Sequence, residues 1–478
     1  MSLKPSRAII FVSIAIAISL LLYLINPLKV EPPANKVLAV AALVIVLWIS
    51  EAMPMAVVAL LPLVLFPLFN IATLEVTASA FANPIIFLFM GGFLIGLAIE
   101  KWNLHRRIAL SIVQLMGTSG DRIVLGFIIA TGFISMWLSN TATTMMMFPI
   151  ALSVIHVLKE NHPNKERMSN FALTLMLAIA FASNFGGIAT LIGTPPNVAY
   201  AAYIQKKYNV SIDFFDWLVV CLPLSILLLF SLYIVMVKWL YPNGMKADAT
   251  TKELIANEMR KLGKFSLAEK RVMVVFVVTA TLWITKSLIN KLGFLKLDDT
   301  MIALMGAIAL FILPSGGEKK ESLLIWKDTK EMAWGILLLF GGGIALASAL
   351  ENAGLIEQLG KWLAQFAGNK FLLVFLITLL SLFISEVMSN VAQVIVFAPV
   401  VSALATALDM NPLLLGIPMT LAASCASMLP MGTPPNAIVF ASGHIKLHQM
   451  MRTGFVMNII AVILITLFSW FLLPLVIK

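Results

Sequence analysis

Apolar stretches long enough to cross a bilayer recur along almost the whole chain, from residues 8–26, 38–69 and 84–99 through 121–158 and 170–203 to 371–408, 412–442 and 453–477. A helical crossing needs about 20 mostly apolar residues. Inside hydrocarbon every backbone N–H and C=O must be satisfied within the protein, which leaves helices or closed barrels, and uninterrupted runs of this length are helices. The 478 residues are 60% hydrophobic and 12% charged, whereas a soluble chain is about half apolar and a quarter charged. The sequence therefore predicts an all-α polytopic membrane protein with about a dozen spans or half-spans. The first run lies behind Lys4 and Arg7 and is followed by "NPLKVEPP" rather than a small-residue cleavage site. It reads as a first helix with a cytoplasmic N-terminus, not as a signal peptide.

The net charge of +10 sits in loops and flanks, where the positive-inside rule explains it without a nucleic-acid partner. Cys221 and Cys425 lie in apolar runs and read as packing residues. His444 and His448, one helical turn apart in "HIKLH", have no carboxylate or cysteine beside them. They read as an interfacial helix end rather than a transition-metal site, and no cofactor is expected.

The chain repeats itself. "FLFMGGFLIGLAIEKWNLHRRIA" from Phe87 matches "LLLFGGGIALASALENAGLIEQLG" from Leu337, with Glu100 on Glu351; "SNTA" at Ser139 matches "SNVA" at Ser389; "GTPPN" at Gly193 matches "GTPPN" at Gly432. Three motifs in one order make an internal duplication, a common plan of secondary transporters. The turn after the first glycine motif carries His105, Arg106 and Arg107, and its counterpart carries Ile356, Glu357 and Gln358. A basic turn belongs inside, so the two turns favour opposite faces and an inverted repeat. The segments after the two "GTPPN" copies are both basic and do not discriminate. Between the halves, residues 241–272 carry seven Lys or Arg against four acids, which predicts a cytoplasmic linker. Leu254, Met259, Leu262 and Leu267 fit one side of an amphipathic surface helix; a solvated linker fits equally.

The polar islands carry the chemistry. Gly193, Pro195 and Pro196, and again Gly432 with its two prolines, interrupt helices and free carbonyl oxygens, hard ligands that suit a hard cation such as sodium. Ser and Asn at a helix start cap free N–H groups, and a helix start attracts an anion. Ser139, Asn140 and Thr141 at one turn and Ser389 and Asn390 at the other thus suit an anion with two charged ends. Residues 123–158 and 371–443 contain no Lys or Arg, so bound cations would have to neutralise a buried dianion. Glu386 either tunes the second cation site or makes a structural hydrogen bond. Glu51 is a similar acid whose partner cannot be read from sequence. An intramembrane hydrolase is disfavoured: the nearest histidine to Ser139, His156, lies about 20 Å or more along the same helix. A channel lined by the broken helices is the other reading outside carriers.

"WISEAMPMAVVALLPLVLFPL" from Trp48, "NLHRRIAL" from Asn103 and the paired "SN" and "GTPPN" turns resemble, over nearly the whole chain, the divalent anion/sodium symporter family of di- and tricarboxylate transporters. That resemblance implies about 11 transmembrane helices plus two re-entrant hairpins in two inverted repeats, an elevator-type transporter, a homodimer, and a multi-pass place in the plasma (inner) membrane. It divides the chain into N-terminal scaffold helices (1–75), a first repeat (76–240), the linker (241–272), further scaffold helices (273–325), and a second repeat with the C-terminal helix (326–478). It assigns substrate contacts to Ser139, Asn140, Thr141, Thr194, Ser389, Asn390 and Thr433. Ser135, Ser139, Asn140 and Gly193 form one implied sodium site, and Ser385, the Met388 carbonyl, Asn390 and Gly432 the other. Val391 stands where the family usually has threonine. One substrate donor is missing, which points to a C4 dicarboxylate rather than citrate; an exchanger, or a citrate or sulfate carrier, remains open.

Overall fold

The computed structural model describes residues 5–476 except 162–164, 246–248, 294, 317–320 and 367; Lys4 and part of the linker thus lie outside the described residues. Among the described residues ten helices are long and apolar enough to cross a membrane. Helices α1 (Pro5–Ile25), α2 (Pro32–Ser50) and α3 (Leu61–Leu68) open the chain. The α1–α2 pair is fastened by Ser19 donating to the Ala39 carbonyl at 2.8 Å and Asn35 donating to the Tyr23 carbonyl at 2.7 Å. Glu51 ends α2 in the left-handed conformation, φ 48°, with its side chain exposed.

The first repeat runs α4 (Pro84–Lys101), α5 (Leu104–Met116), α6 (Gly120–Ser135), α7 (Asn140–Asn161), α8 (Lys165–Gly187), α9 (Pro195–Tyr208) and α10 (Phe214–Tyr233, prolonged by a π-helix to Leu240). After the linker helix α11 (Ala249–Lys261) come α12 (Leu267–Lys291) and α13 (Asp299–Ile312). The second repeat follows in the same order: α14 (Trp334–Asn352), α15 (Leu355–Ala364), α16 (Lys370–Ser385), α17 (Asn390–Ala407), α18 (Pro412–Ala423), α19 (Pro434–Phe440) and α20 (Leu447–Phe471). The pairs α6–α7 and α16–α17 are hairpins whose tips are the two "SN" turns. The pairs α8–α9 and α18–α19 are single crossings broken at the "GTPPN" segments.

Each hairpin packs on the first half of its own broken helix, α6 and α7 on α8, and α16 and α17 on α18. The second halves cross over: α9 lies against α17 and α18, and α19 against α7 and α8. The two repeats therefore interlock, and the four breaks meet in the interior. Close backbone approach makes this possible, and small residues allow it. A Cβ added to Gly186 of α8 would lie 2.6 Å from the Gly132 Cα of α6.

The basic turn of α5 and the basic linker share one face. Arg107 on α5 donates to Glu269 at 2.7 Å and to the carbonyls of Gly263 and Leu262, and α11 docks on α5 and α7. The linker is thus a docked helix rather than a solvated strand of chain, with Ile255 buried and Leu254 and Met259 half-buried. Leu267 does not belong to that surface. Ser266 accepts from the Glu269 N–H and Glu269 accepts from the Ser266 N–H, a capping box that starts α12 there. His444 and His448 also part company, because α20 starts at Leu447, between them. Tracing the crossings from α4 to α14 puts α5 and its counterpart α15 on opposite faces, the inverted arrangement.

Candidate functional site

At the tip of the first hairpin, α6 stops at Ser135 and α7 starts at Asn140. Ser139 caps α7, its Oγ accepting from the Ala142 N–H at 3.2 Å. Ser135 Oγ lies 2.7 Å from Asn140 Oδ1 and 2.8 Å from the Ser183 carbonyl oxygen. The second hairpin repeats this triangle: Ser385 Oγ lies 2.6 Å from Asn390 Oδ1 and 2.6 Å from the Ala423 carbonyl oxygen. A hydroxyl has one proton, so it donates to only one of its two oxygen neighbours. Each triangle therefore gathers three oxygens with one proton among them, an electron-rich cluster in a buried place. Such a cluster suits a hard cation.

The paired prolines act differently from the sequence expectation. Pro195 and Pro434 are the first residues of α9 and α19, where a missing N–H costs nothing. Thr194 and Thr433 precede them in nearly the same extended conformation, φ −143° and −144°. The breaks themselves are 188–194 and 424–433. Met136 O lies 3.0 Å from the position of a Cβ on Gly193, and Gly187 O lies closer still. Gly187 in turn abuts Asn140 Oδ1. Ser135, Ser139, Asn140 and Gly193 are thus brought together.

The second set is arranged around Glu386. A Cβ on Gly432 would sit 3.0 Å from Glu386 Oε2. This carboxylate is buried and accepts from the N–H groups of Ser427, Met428 and Leu429 at 2.8–2.9 Å and from Asn458 Nδ2 at 2.7 Å. It binds the broken backbone of the second crossing and does not lie on the helix's far face. Met388 and Val391 are half-buried in and just after the same turn. Ser389, unlike Ser139, makes no side-chain cap, which corrects the expectation that both turns cap alike.

Thr194 and Thr433 are both buried, 3% exposed. The Thr433 hydroxyl accepts from the Asn436 N–H at 3.4 Å and from Asn184 Nδ2 at 3.2 Å. Thr141 is half-buried at the start of α7. Three asparagines escaped the sequence reading. Asn197 and Asn436, the last letters of the two "GTPPN" motifs, donate to the carbonyls of Thr190 at 2.9 Å and Leu429 at 3.1 Å, clamping the breaks. Both Oδ1 atoms are fully buried without a partner. The third is Asn184, in a Ser-Asn pair inside the apolar run of α8; that pair was the available signal. Cys221 and Cys425 are buried free thiols, as expected of packing residues.

A family described as the sodium:sulfate symporter transmembrane region matches residues 6–477. The chain is 39% identical over 462 residues to the "sodium-dependent dicarboxylate transporter SdcS" of Staphylococcus saprophyticus, covering 95% of this chain and 89% of that protein. It is 40% identical over 447 residues to the protein of the same name from Staphylococcus aureus strain USA300, covering 92% and 86%. Among solved structures it resembles the YdaH transporter of Alcanivorax borkumensis (TM-score 0.56, 14% identity, 83% of this chain and 87% of that one). It also resembles MtrF of Neisseria gonorrhoeae (TM-score 0.56, 11% identity, 83% of each chain). At those identities the likeness is one of fold.

Proposed function

The chain belongs to the sodium:sulfate symporter family, the divalent anion/sodium symporters, and we propose that it imports C4-type dicarboxylates such as succinate, malate or fumarate together with sodium. It is a multi-pass protein of the plasma membrane and a secondary transporter, not an enzyme. The observation that carries the sodium half of this reading is the duplicated triangle of Ser135, Asn140 and Ser183 O, and of Ser385, Asn390 and Ala423 O. In this reading the triangles, with the backbone near Gly193, Gly432 and Met388, hold the coupling cations. Ser139, Asn140 and Thr141 then cradle one carboxylate, Ser389 and Asn390 the other, and Thr194 and Thr433 support the two half-helix starts beside them. With no Lys or Arg in residues 123–158 or 371–443, which hold both hairpin tips, the cations supply the charge a buried dianion requires.

Alternating access follows in this reading from the interlocked hairpins and broken helices moving as one body against α1–α3, α12 and α13. A homodimer through that scaffold belongs to the same proposal. The interlock of α9 and α19 with the opposite repeats supports a single moving body. One observation favours a second reading, sodium-independent exchange: Val391 leaves the second cradle without the hydroxyl that Thr141 gives the first.

The test is labelled succinate uptake into proteoliposomes, empty or preloaded with succinate, with sodium or potassium outside. Sodium-dependent uptake into empty vesicles is the expected result. Uptake only into preloaded vesicles, indifferent to sodium, would establish exchange and remove the cation assignments. Asn140→Ala and Asn390→Ala each lower uptake at least about a hundredfold, as expected when a buried charged group loses a partner worth about 3 kcal/mol. Both variants keep the wild-type elution volume in detergent; full activity in both would sink the assignment.

A further inference from the structure

Among the described residues, Asn184 is the one side chain that ties the first "SN" turn to the second "GTPPN" segment by hydrogen bonds on both of its amide atoms. It is 1% exposed. Its Oδ1 lies 3.5 Å from Asn140 Nδ2, the long limit of a hydrogen bond, and its Nδ2 donates to Thr433 Oγ1 at 3.2 Å. Thr433 Oγ1 in turn receives the Asn436 N–H at the start of α19. A chain of contacts therefore runs from Ser135 through Asn140, Asn184 and Thr433 into the half-helix that follows Gly432.

The second half has no equivalent. Ser183 O and Ala423 O are counterparts, since they face Ser135 and Ser385 in the same way. That places Ser424 opposite Asn184. Its Oγ is buried without a partner, and its side chain reaches one bond less far than that of asparagine. Among the described residues no protein acceptor receives Asn390 Nδ2. An asparagine amide presents oxygen or nitrogen to a site depending on which way its plane is turned. Asn140 is held at both amide atoms, its oxygen by Ser135 and its nitrogen by Asn184, whereas among the described residues Asn390 is held at its oxygen by Ser385 and has no such hold on its nitrogen.

We propose that Asn184 is a positioning residue that presets the first cation site and couples its occupancy to the second through Thr433. The inference rests on the sodium-coupled reading above. In it the first site stands ready before any cation arrives, whereas the second is completed by its own occupant. A cation that draws in Asn140 Oδ1 also tightens the Asn140–Asn184–Thr433 chain, which orders the segment beside Gly432 and raises the second site's affinity. Coupling of this kind is reciprocal and typically amounts to about 5- to 150-fold in affinity.

The experiment is the sodium-concentration dependence of labelled succinate uptake by full-length protein in proteoliposomes, for wild type, Asn184→Ser, Thr433→Val, Thr433→Ser and the double variant Asn184→Ser with Thr433→Val. Wild type gives a sigmoidal sodium curve. Asn184→Ser, which installs the residue found opposite, gives a Hill coefficient close to 1 and a half-saturating sodium concentration raised about five- to tenfold. Thr433→Val does the same, Thr433→Ser restores the wild-type curve, and the double variant is no worse than either single one, as for members of one chain. An unchanged Hill coefficient with only a lower maximal rate would mean a purely structural role and overturn the inference. Effects that multiply in the double variant would overturn it too. Should Asn184→Ser elute as aggregate, the Thr433 pair decides alone. A wild type indifferent to sodium removes the sodium-coupled reading and this inference with it; a sodium-dependent wild type with unaltered variants removes the inference alone.

Discussion

Glu386 shows how one side chain holds a broken membrane helix open. Ser427, Met428 and Leu429 have lost helical acceptors for their N–H groups, and in a dry interior each unmet donor costs about 1–3 kcal/mol. A carboxylate meets all three and Asn458 as well. The first half has no such carboxylate, and side-chain donors there meet freed carbonyl oxygens instead. There Met136 stands at Glu386's place, its carbonyl accepts from the Thr190 hydroxyl, and Trp217 Nε1 donates to the Ile188 carbonyl at 3.0 Å. Glu386→Ala is accordingly expected to cost about 3–5 kcal/mol and to lower the unfolding midpoint in detergent by several degrees, with Glu386→Gln between it and wild type. A wild-type midpoint for the alanine variant would show that the carboxylate is not the fastening. The sequence revealed that Glu386 sits in an apolar run beside Asn390. It did not reveal the partners, because Asn458 is 72 residues away and an apolar helix does not announce which face meets the break. Ser139, Asn140, Ser389 and Asn390 were legible for the opposite reason: each occurs twice, in the same order, where hydrocarbon tolerates few polar groups.

At the level of elements, the interlock of the repeats depends on helices approaching backbone to backbone. The site stays in register because α8 lies on α6 with Gly186 facing Gly132, and this brings Ser183 O to Ser135. Gly186→Ala forces a methyl to within 2.6 Å of the Gly132 Cα. Overpacking of this kind costs about 1–3 kcal/mol, and here the strain is relieved by moving α8 away from Ser135. The expected result is a folded protein with uptake reduced at least about tenfold and a raised half-saturating sodium concentration. An alanine variant with wild-type sodium dependence would mean that this contact does not set the site. The doubled glycines at 186 and 187 are visible in the sequence. Their roles are not: Gly186 admits another backbone, while Gly187 makes room for Asn140. The linker teaches the same lesson. Its hydrophobic spacing indicated a surface helix running to Leu267, but the helix ends at Lys261 and the capping box of Ser266 and Glu269 claims Leu267 for the next crossing.

For the whole molecule, inversion is the property from which the rest follows, because it places two similar half-sites head to head at mid-depth while their entrances lie on opposite faces. Charge and chain path together require it. Arg107 binds the linker at Glu269 and the Gly263 carbonyl, so α5 and the end of the basic linker share a face, and the positive-inside rule makes that face cytoplasmic. The crossings from α10 through α14 then carry α15 to the other side. Thiol labelling checks this directly, since the two native thiols, Cys221 at 1% and Cys425 at 0% exposure, are hidden from a polar reagent. Gln358 on α15 and Lys264 after α11 are both exposed. Gln358→Cys is expected to react with an impermeant maleimide added to intact cells, and Lys264→Cys only in inside-out vesicles. Labelling of both from the same face would make the repeats parallel. The two oxygen triangles would then point the same way through the membrane, and a substrate with a carboxylate at each end would no longer find one cradle facing the other.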